Sequence, residues 1–306
     1  MRVAVLGRSD VLHRTAEKIL QENHEIVGIV SAKESPEDAR TVEDFEILAN
    51  RLSVPFLRAS QLKNHGDELR SWKADVGVSV NFPTILSEST LRNFPLGVLN
   101  VHGGDLPRYR GNACQAWAII NGESKVGLCV HKMEGDSLDS GDIISRATRK
   151  IDLRTKITEI LEWMAECAPD LVSTALARLE ENPGFILEKQ SKFPQDALRC
   201  YPRLPEDGRI LWTDSAVNIL RLINAHNRPY SGAFAEFSGS DVTIWHADLE
   251  EDGEVFLGIP GQVLKILEDS VVVACGESKL RIFEVAIGSQ VMNPASLVKS
   301  SRQRFR

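Results

Sequence analysis

Three short apolar runs near the N-terminus constrain this chain more than anything else in it: "RVAVLG" ending at Gly7, "HEIVGIVS", and "DVGVSVNF" at residues 75 to 82. Each has strand length and is apolar nearly throughout. The stretches between them carry helical spacing, with Val11, Leu12, Ala16, Ile19 and Leu20 along 10–22 and Phe45, Leu48 and Ala49 further on. A strand that is apolar on both sides must be covered on both sides, the mark of a parallel sheet held between helices. The expected fold class is α/β, a Rossmann-like, mostly parallel sheet flanked by helices. The turn after the first strand, "LGRSDVLHRT", offers Gly7 and no second Gly, so the GxGxxG fingerprint is missing and no NAD is expected.

Further on, "VPFL" reads as a strand, residues 60–73 as a charged helix, and "VGLCVHKM" and "GDIISRATRKI" as strands around the loop "EGDSLDS". Residues 155–182 have the period of a long helix that Pro169 should kink or divide. A Pro-rich, aperiodic stretch at 189–208 then has the character of a surface linker. From 209 to 306 one helix is followed by short alternating runs such as "AFAEF" and "LRIFEVAI", a small, mostly antiparallel, barrel-like β domain. The expected domains are therefore 1–188 and 209–306 about that linker. Trp212, Tyr230 and Trp245 are expected in the second core rather than as a base-stacking platform.

The formal charge of -7 and a pI near 5.6 set the molecule as a whole against a polyanion, so nucleic acid is disfavoured as a partner. The first apolar run is too short for a signal peptide, and no stretch reaches the roughly 18 apolar residues of a membrane span. A cytoplasmic protein with no membrane partner is expected. Five Cys, at 114, 129, 167, 200 and 275, form no CxxC pair, which suits a reducing compartment, gives no metal site, and reads as five buried small hydrophobes.

The chemistry concentrates in "VLNVHGGDLPRYRGNACQAWAIINGE", residues 98 to 123. Residues two apart in a strand share a face, so Asn100 and His102 project together at a strand's carboxyl end, where open parallel sheets bind ligands. Asn offers amide donors and a carbonyl, and His a ring that exchanges protons near neutrality. The second polar cluster, "MEGDSLDSGDI", places Asp136, Asp139 and Asp142 in a tight loop that lacks a calcium-loop spacing. One of these Asp could hold the His.

These blocks, Asn-X-His, "LPRYRGNACQAWAIINGE", "GLCVHKM" and "LDSGDI", resemble in order and spacing the formyltransferases that use N10-formyltetrahydrofolate. "VSVNFPTILSESTLRNFPLGVLNVH" and the later "DGRILWTDSAVNILRLINAHNRPYSGAFAEFSGSDVTIWHA" extend the likeness over most of the chain. The resemblance implies N10-formyltetrahydrofolate as co-substrate, no metal, and Asn100, His102 and Asp139 as a catalytic trio. His102 would assist proton movement and Asn100 donate to the developing oxyanion. Asp139 would orient His102. It implies a folate pocket made by the loops holding Phe82, Ile85, Leu86 and Gly135, Asp136, Leu138, with His131 near it. Many members read His-X-Ser-Leu-Leu-Pro where this chain has His102-Gly103-Gly104-Asp105-Leu106-Pro107, so Gly104 and Asp105 bear on acceptor recognition, or are only turn chemistry. Arg108, Tyr109 and Arg110 are weaker candidates for touching the acceptor.

The acceptor expected from sequence is the amine of a nucleotide-linked amino deoxysugar, in a protein resembling sugar N-formyltransferases, commonly homodimers. The segment "SAKESPEDARTVEDFE" and the run "ADLEEDGEVFL" are acidic where methionyl-tRNA formyltransferases are basic. Methionyl-tRNA is the alternative acceptor. Formyltetrahydrofolate hydrolysis and a non-catalytic binding protein rank behind both.

Overall fold

The computed structural model describes all 306 residues, and they divide into two compact units. The first comprises Met1–Cys114, Val126–Arg149 and Leu161–Tyr201; the second Gln115–Lys125, Lys150–Ile160 and Pro202–Arg306.

The strands up to Tyr201 are β1 (Arg2–Gly7), β2 (Glu25–Ser31), β3 (Phe56–Arg58), β4 (Val76–Val80), β5 (Val98–His102), β6 (Tyr109–Gly111), β7 (Lys125–Lys132), β8 (Ile143–Lys150) and β9 (Leu198–Cys200). The helices are α1 (Ser9–Gln21), α2 (Val42–Leu52), α3 (Gly66–Ser71), α4 (Glu88–Leu91), α5 (Cys114–Ile120) and α6 (Ile157–Glu181). Seven strands form one sheet in the order β3-β2-β1-β4-β5-β7-β8. From β3 to β5 the pairing is parallel, and β7 joins β5 antiparallel. The sequence pattern shows why both faces are covered. In β1, Val3 and Val5 join the core beneath α1 and α2, with Leu12, Ala16, Ile19 and Phe45, whereas the alternate Ala4 and Leu6 join another with Leu69, Trp72 and Leu86. The fold class expected from sequence is the one observed.

The chain leaves β1 at Gly7, whose φ is +131° and whose missing Cβ would lie 1.9 Å from the Val80 carbonyl oxygen. Only glycine permits that approach between the ends of β1 and β4. Helix α6 continues unbroken through Pro169, so the expected division does not occur. Ala168, Val172, Ala175, Leu176 and Leu179 keep it packed on the sheet, outweighing the loss of one amide donor.

The stretch from 189 to 201 is more than surface linker. Gln190 and Cys200 are buried, and β9 pairs in parallel with β6 as a two-stranded ribbon. Of the five cysteines, Cys114, Cys129, Cys200 and Cys275 are buried and Cys167 is half-buried.

The second unit carries α7 (Ala216–Ala225), β10 (Ala233–Phe237), β11 (Ser240–Leu249), β12 (Val263–Ile266), β13 (Val271–Ala274), β14 (Lys279–Ile287), β15 (Gln290–Met292) and α8 (Pro294–Leu297). Its antiparallel sheet runs β10-β11-β14-β13-β12, with β15 also on β14. The C-terminal residues join the two edges: Phe305 N–H donates to the Gly261 carbonyl at 2.8 Å, and Arg306 and Glu236 exchange backbone bonds, each of 2.8 Å. That closure accounts for the barrel-like character. Trp212 is buried in this core, while Trp245 is half-buried beneath the Arg228 guanidinium, 4.3 Å from its ring centre. No helix is long and apolar enough to cross a membrane.

Candidate active site

Asn100 and His102 share one face of β5, as period-two alternation requires, and Asn100 is the direct register partner of His131 on β7. The loop between β7 and β8 brings Asp139 to the same place. Asp139 Oδ2 is 3.5 Å from His102 Nδ1, and Oδ1 is 3.3 Å from His131 Nε2 and 3.4 Å from Asn100 Nδ2. The three residues singled out from sequence therefore converge, with His131 as a fourth member.

Asp139 adopts a left-handed backbone, φ 50°, and its carboxylate also accepts the Gly111 N–H at 2.9 Å. Burial alone would push this carboxyl up. The charge of His102 and the hydrogen bonds from His131 and Gly111 outweigh burial and hold it well below the usual carboxylate range. Gln190 fastens the loop from behind, its side-chain amide donating to the Asp139 carbonyl at 3.0 Å while its backbone N–H donates to Asp142 Oδ1 at 3.0 Å.

His102 is 7% exposed, and its Nε2 lies 2.6 Å from the Tyr109 carbonyl oxygen. A carbonyl can only accept, so Nε2 carries a proton there and Nδ1 is the nitrogen turned toward Asp139. Gly104 makes this contact possible: a Cβ at that position would fall 2.2 Å from the Tyr109 oxygen and 2.4 Å from His102 Nε2. The replacement of the family's Ser by Gly104 thus has a steric reason within this chain.

Asp105 has a structural explanation as well. Its carboxylate accepts from the Arg146 guanidinium at 2.8 Å, the same guanidinium donates to the Leu106 carbonyl at 2.7 Å, and Glu188 holds the other end. A Cβ on Gly127 would meet the Asp105 Cα at 2.6 Å, so β7 lies flush under this turn. The departure "GGD" is bound into the protein's own framework.

The Cys114 thiol sits 3.8 Å from His102 Nε2. Contact with Cys200, followed by burial, drives it far above its ordinary value, so it stays a neutral thiol and is no nucleophile. No group of three or more His, Cys, Asp and Glu has an arrangement that could hold a metal ion.

The two loops suggested for the folate lie side by side, joined by a hydrogen bond from the Asp136 N–H to the Leu86 carbonyl at 3.1 Å. Leu86 is buried in the core with Phe82 packed against it, while Ile85 stays half exposed. Asp136 is exposed, Gly135 and Leu138 are half-buried, and a Cβ on Gly135 would meet the Glu88 Cα at 2.5 Å. Arg108 is exposed, with its guanidinium 5.5 Å from the ring centre of the buried Tyr109. Arg110 donates to Gln190 Oε1 at 2.8 Å and to the Ser191 carbonyl at 3.1 Å.

Residues 1–176 match the profile of the formyl transferase family, and residues 204–302 that of the formyl transferase C-terminal domain. The chain belongs to the formyl transferase family. It is 30% identical over 296 residues to the methionyl-tRNA formyltransferase of Bradyrhizobium diazoefficiens, covering 93% of this chain and 91% of that one. With the methionyl-tRNA formyltransferase of Acetivibrio thermocellus the identity is 28% over 299 residues, covering 94% and 93%. The fold is similar to that of an N-formyltransferase from Helicobacter canadensis, solved with folinic acid and dTDP-3-aminofucose, with a TM-score of 0.68 at 15% identity over 92% of this chain and 98% of that one. As a member of this family the protein is an enzyme of formyl transfer.

Proposed function

We propose that this formyltransferase moves the formyl group of N10-formyltetrahydrofolate onto the primary amine of methionyl-tRNA, with Asn100, His102 and Asp139 at the reacting atoms. The observation that carries the chemistry is the convergence of these three side chains at the carboxyl end of β5. In the reaction the amine nitrogen forms a bond to the formyl carbon while the carbonyl pair moves to oxygen. Collapse then breaks the bond to N10, which gains a proton as the amine loses one. Asn100 offers an amide N–H to the oxygen on which charge develops, and His102 assists the movement of the proton. Asp139, its carboxyl held well below the usual carboxylate range, stays ionised and orients His102.

The acceptor reading rests on near full-length similarity, through both domains, to methionyl-tRNA formyltransferases. It takes the place of the sugar expected from the acidic runs "SAKESPEDARTVEDFE" and "ADLEEDGEVFL", because neither those runs nor a net charge of -7 forbids a local cationic face elsewhere. The chain supplies such clusters, with Arg108, Arg110 and Arg199 near β6 and β9 and Lys299, Arg302, Arg304 and Arg306 at the C-terminus. A nucleotide-linked amino sugar stands as the second reading, favoured by the acidic segment "SAKESPEDARTVEDFE".

The test is incubation with N10-formyltetrahydrofolate and either methionyl-tRNA or a panel of nucleotide-linked amino sugars, with formate release as a third readout. Formylated methionyl-tRNA is the expected product. A formylated sugar with no tRNA product overturns the acceptor, and formate alone makes the protein a hydrolase. Full transfer by His102→Ala would refute the assigned trio.

A further inference from the structure

Beside the trio, the β6–β9 ribbon sets two arginines in register. Arg110 and Arg199 are direct partners in a parallel pair, so their side chains leave the ribbon on the same face from backbones about 4.8 Å apart. The adjacent positions Tyr109 and Cys200, which alternate with them, are buried. Neither guanidinium has a carboxylate partner. Arg110 is met by a neutral amide and a carbonyl, and its buried Nε has no hydrogen-bond partner. Exposed Arg199 leans on the ring of Tyr201, 5.5 Å from its centre. Glu134, the carboxylate that feels Arg110, is claimed by Lys192 and Ser140.

The two side chains leave one face of the ribbon and neither makes an ion pair with a carboxylate, so an anion settling on that face meets two cations. Guanidinium forks match the oxygens of a phosphate, and the 64% exposed Tyr201 adds a flat aromatic face of the kind on which a ribose or base can rest. The ribbon also fixes where that anion would lie. Arg110 is flanked by Tyr109, whose carbonyl meets His102, and by Gly111, whose N–H meets Asp139.

We propose that Arg110, Arg199 and Tyr201 form the binding site for the acceptor's phosphate, on the ribbon whose Tyr109 and Gly111 touch His102 and Asp139. This rests on the acceptor being a phosphate-bearing amine, as both candidate acceptors are. The phosphate comes from the 3′-terminal nucleotides of a charged tRNA or from the diphosphate of a nucleotide sugar. Arg199 and Tyr201 are specificity residues that lie outside the strand bearing Asn100 and His102.

Calorimetry on the full chain with inorganic pyrophosphate, dTDP and uncharged initiator tRNA tests the site and tells the two sources apart. At least one probe binds the wild type. Arg199→Ala weakens that binding about tenfold or more, the size of one lost charge-assisted bond, and Arg199→Lys restores part of it. In the transfer assay Arg199→Ala and Tyr201→Ala raise the KM for acceptor and leave the KM for N10-formyltetrahydrofolate within about twofold, a split that general loss of structure would not give. Binding by none of the probes, or binding and acceptor KM unmoved by Arg199→Ala, overturns the site. Arg199-dependent binding without formylation of any acceptor supports the phosphate site and refutes the proposed function instead.

Discussion

His131 Nε2 lies 3.2 Å from the amide nitrogen of Asn100, its register partner across the β5–β7 pair. The other ring nitrogen, Nδ1, is 3.1 Å from the Lys132 carbonyl and so carries a proton. Nε2 therefore stands between Asn100 and Asp139, accepting from the amide when neutral and donating to the carboxylate when protonated. Either way it fixes the plane in which the Asn100 amide is presented. Replacing His131 by Phe leaves that amide unsteadied. The transfer rate is expected to fall about 10- to 100-fold, the order of loss that follows small misplacement of a reacting group. His131→Gln, which retains a polar partner, recovers part of it. Single-turnover formyl transfer measures the effect, and a wild-type rate in His131→Phe would remove His131 from the site.

Gly104 sits where any Cβ would strike the Tyr109 carbonyl and His102 Nε2. Gly104→Ser restores the residue common in the family but forces these two apart in this chain. Activity is expected to fall by about tenfold or more, with stability lowered by about 1–3 kcal/mol, typical of overpacking. Comparing the rate constant with the denaturation midpoint separates the two effects. If Gly104→Ser is as active as the wild type, the steric account is wrong.

Much of this was legible in the sequence because its signals are local. Alternation put Asn100 and His102 on one face, and the double-sided apolar strands required helices on both sides of the sheet. His131 was harder to assign, since its partnership with Asn100 exists only through the antiparallel pairing of β5 with β7, some thirty residues apart. Gln190 was hidden by composition: it lies in a stretch whose Pro content reads as linker, yet its amide braces the Asp139 loop. The steric role of Gly104 depends on a carbonyl five residues later that folds back onto His102. Nor does chain order show that 115–125 and 150–160 group with the second unit. Such features arise from long-range contacts, which no window of sequence contains.

Arg146 ties three points together, the Asp105 carboxylate, the Leu106 carbonyl and Glu188, with its side chain 23% exposed. Removing it takes from the partly buried Asp105 carboxylate the guanidinium that meets it at 2.8 Å. Arg146→Ala is expected to destabilise by about 2–4 kcal/mol, at the lower side of values for broken buried pairs because water still reaches the site. Asp105→Ala should cost less, and the double variant less than the sum of the two. A double-mutant cycle from urea denaturation gives the coupling. Strict additivity would mean that the pair contributes nothing.

The carboxyl of Asp139 is depressed in the folded state from an unfolded value near 3.8. A group depressed in this way adds stability that is fully present above its unfolded value and is lost as pH falls toward the folded one. Asp139→Asn removes that contribution and leaves His102 and His131 without their carboxylate. The stability difference between wild type and variant should be constant above about pH 5 and shrink below about pH 4. Denaturation midpoints across pH 2.5 to 7 check this. A gap that widens on acidification contradicts a depressed carboxyl.

In the second unit, Phe305 closes the sheet. It is 1% exposed, its ring centre lies 4.5 Å from that of Phe237 and 5.6 Å from that of Trp212, and its backbone links to Gly261. Gly261 has φ +85°, and a Cβ there would stand 2.1 Å from the Phe305 carbonyl oxygen, so the closure relies on glycine as well. Phe305→Ala is expected to cost about 3–5 kcal/mol through lost burial and the cavity left behind, and Phe305→Leu about 1–2 kcal/mol. Deleting residues 303–306 goes further, because it uncovers the edges of β10 and β12 and should promote edge-to-edge association. Chemical denaturation and light scattering follow the two consequences. A truncated chain with the light scattering and the denaturation midpoint of the wild type would show that the barrel holds without its C-terminal residues.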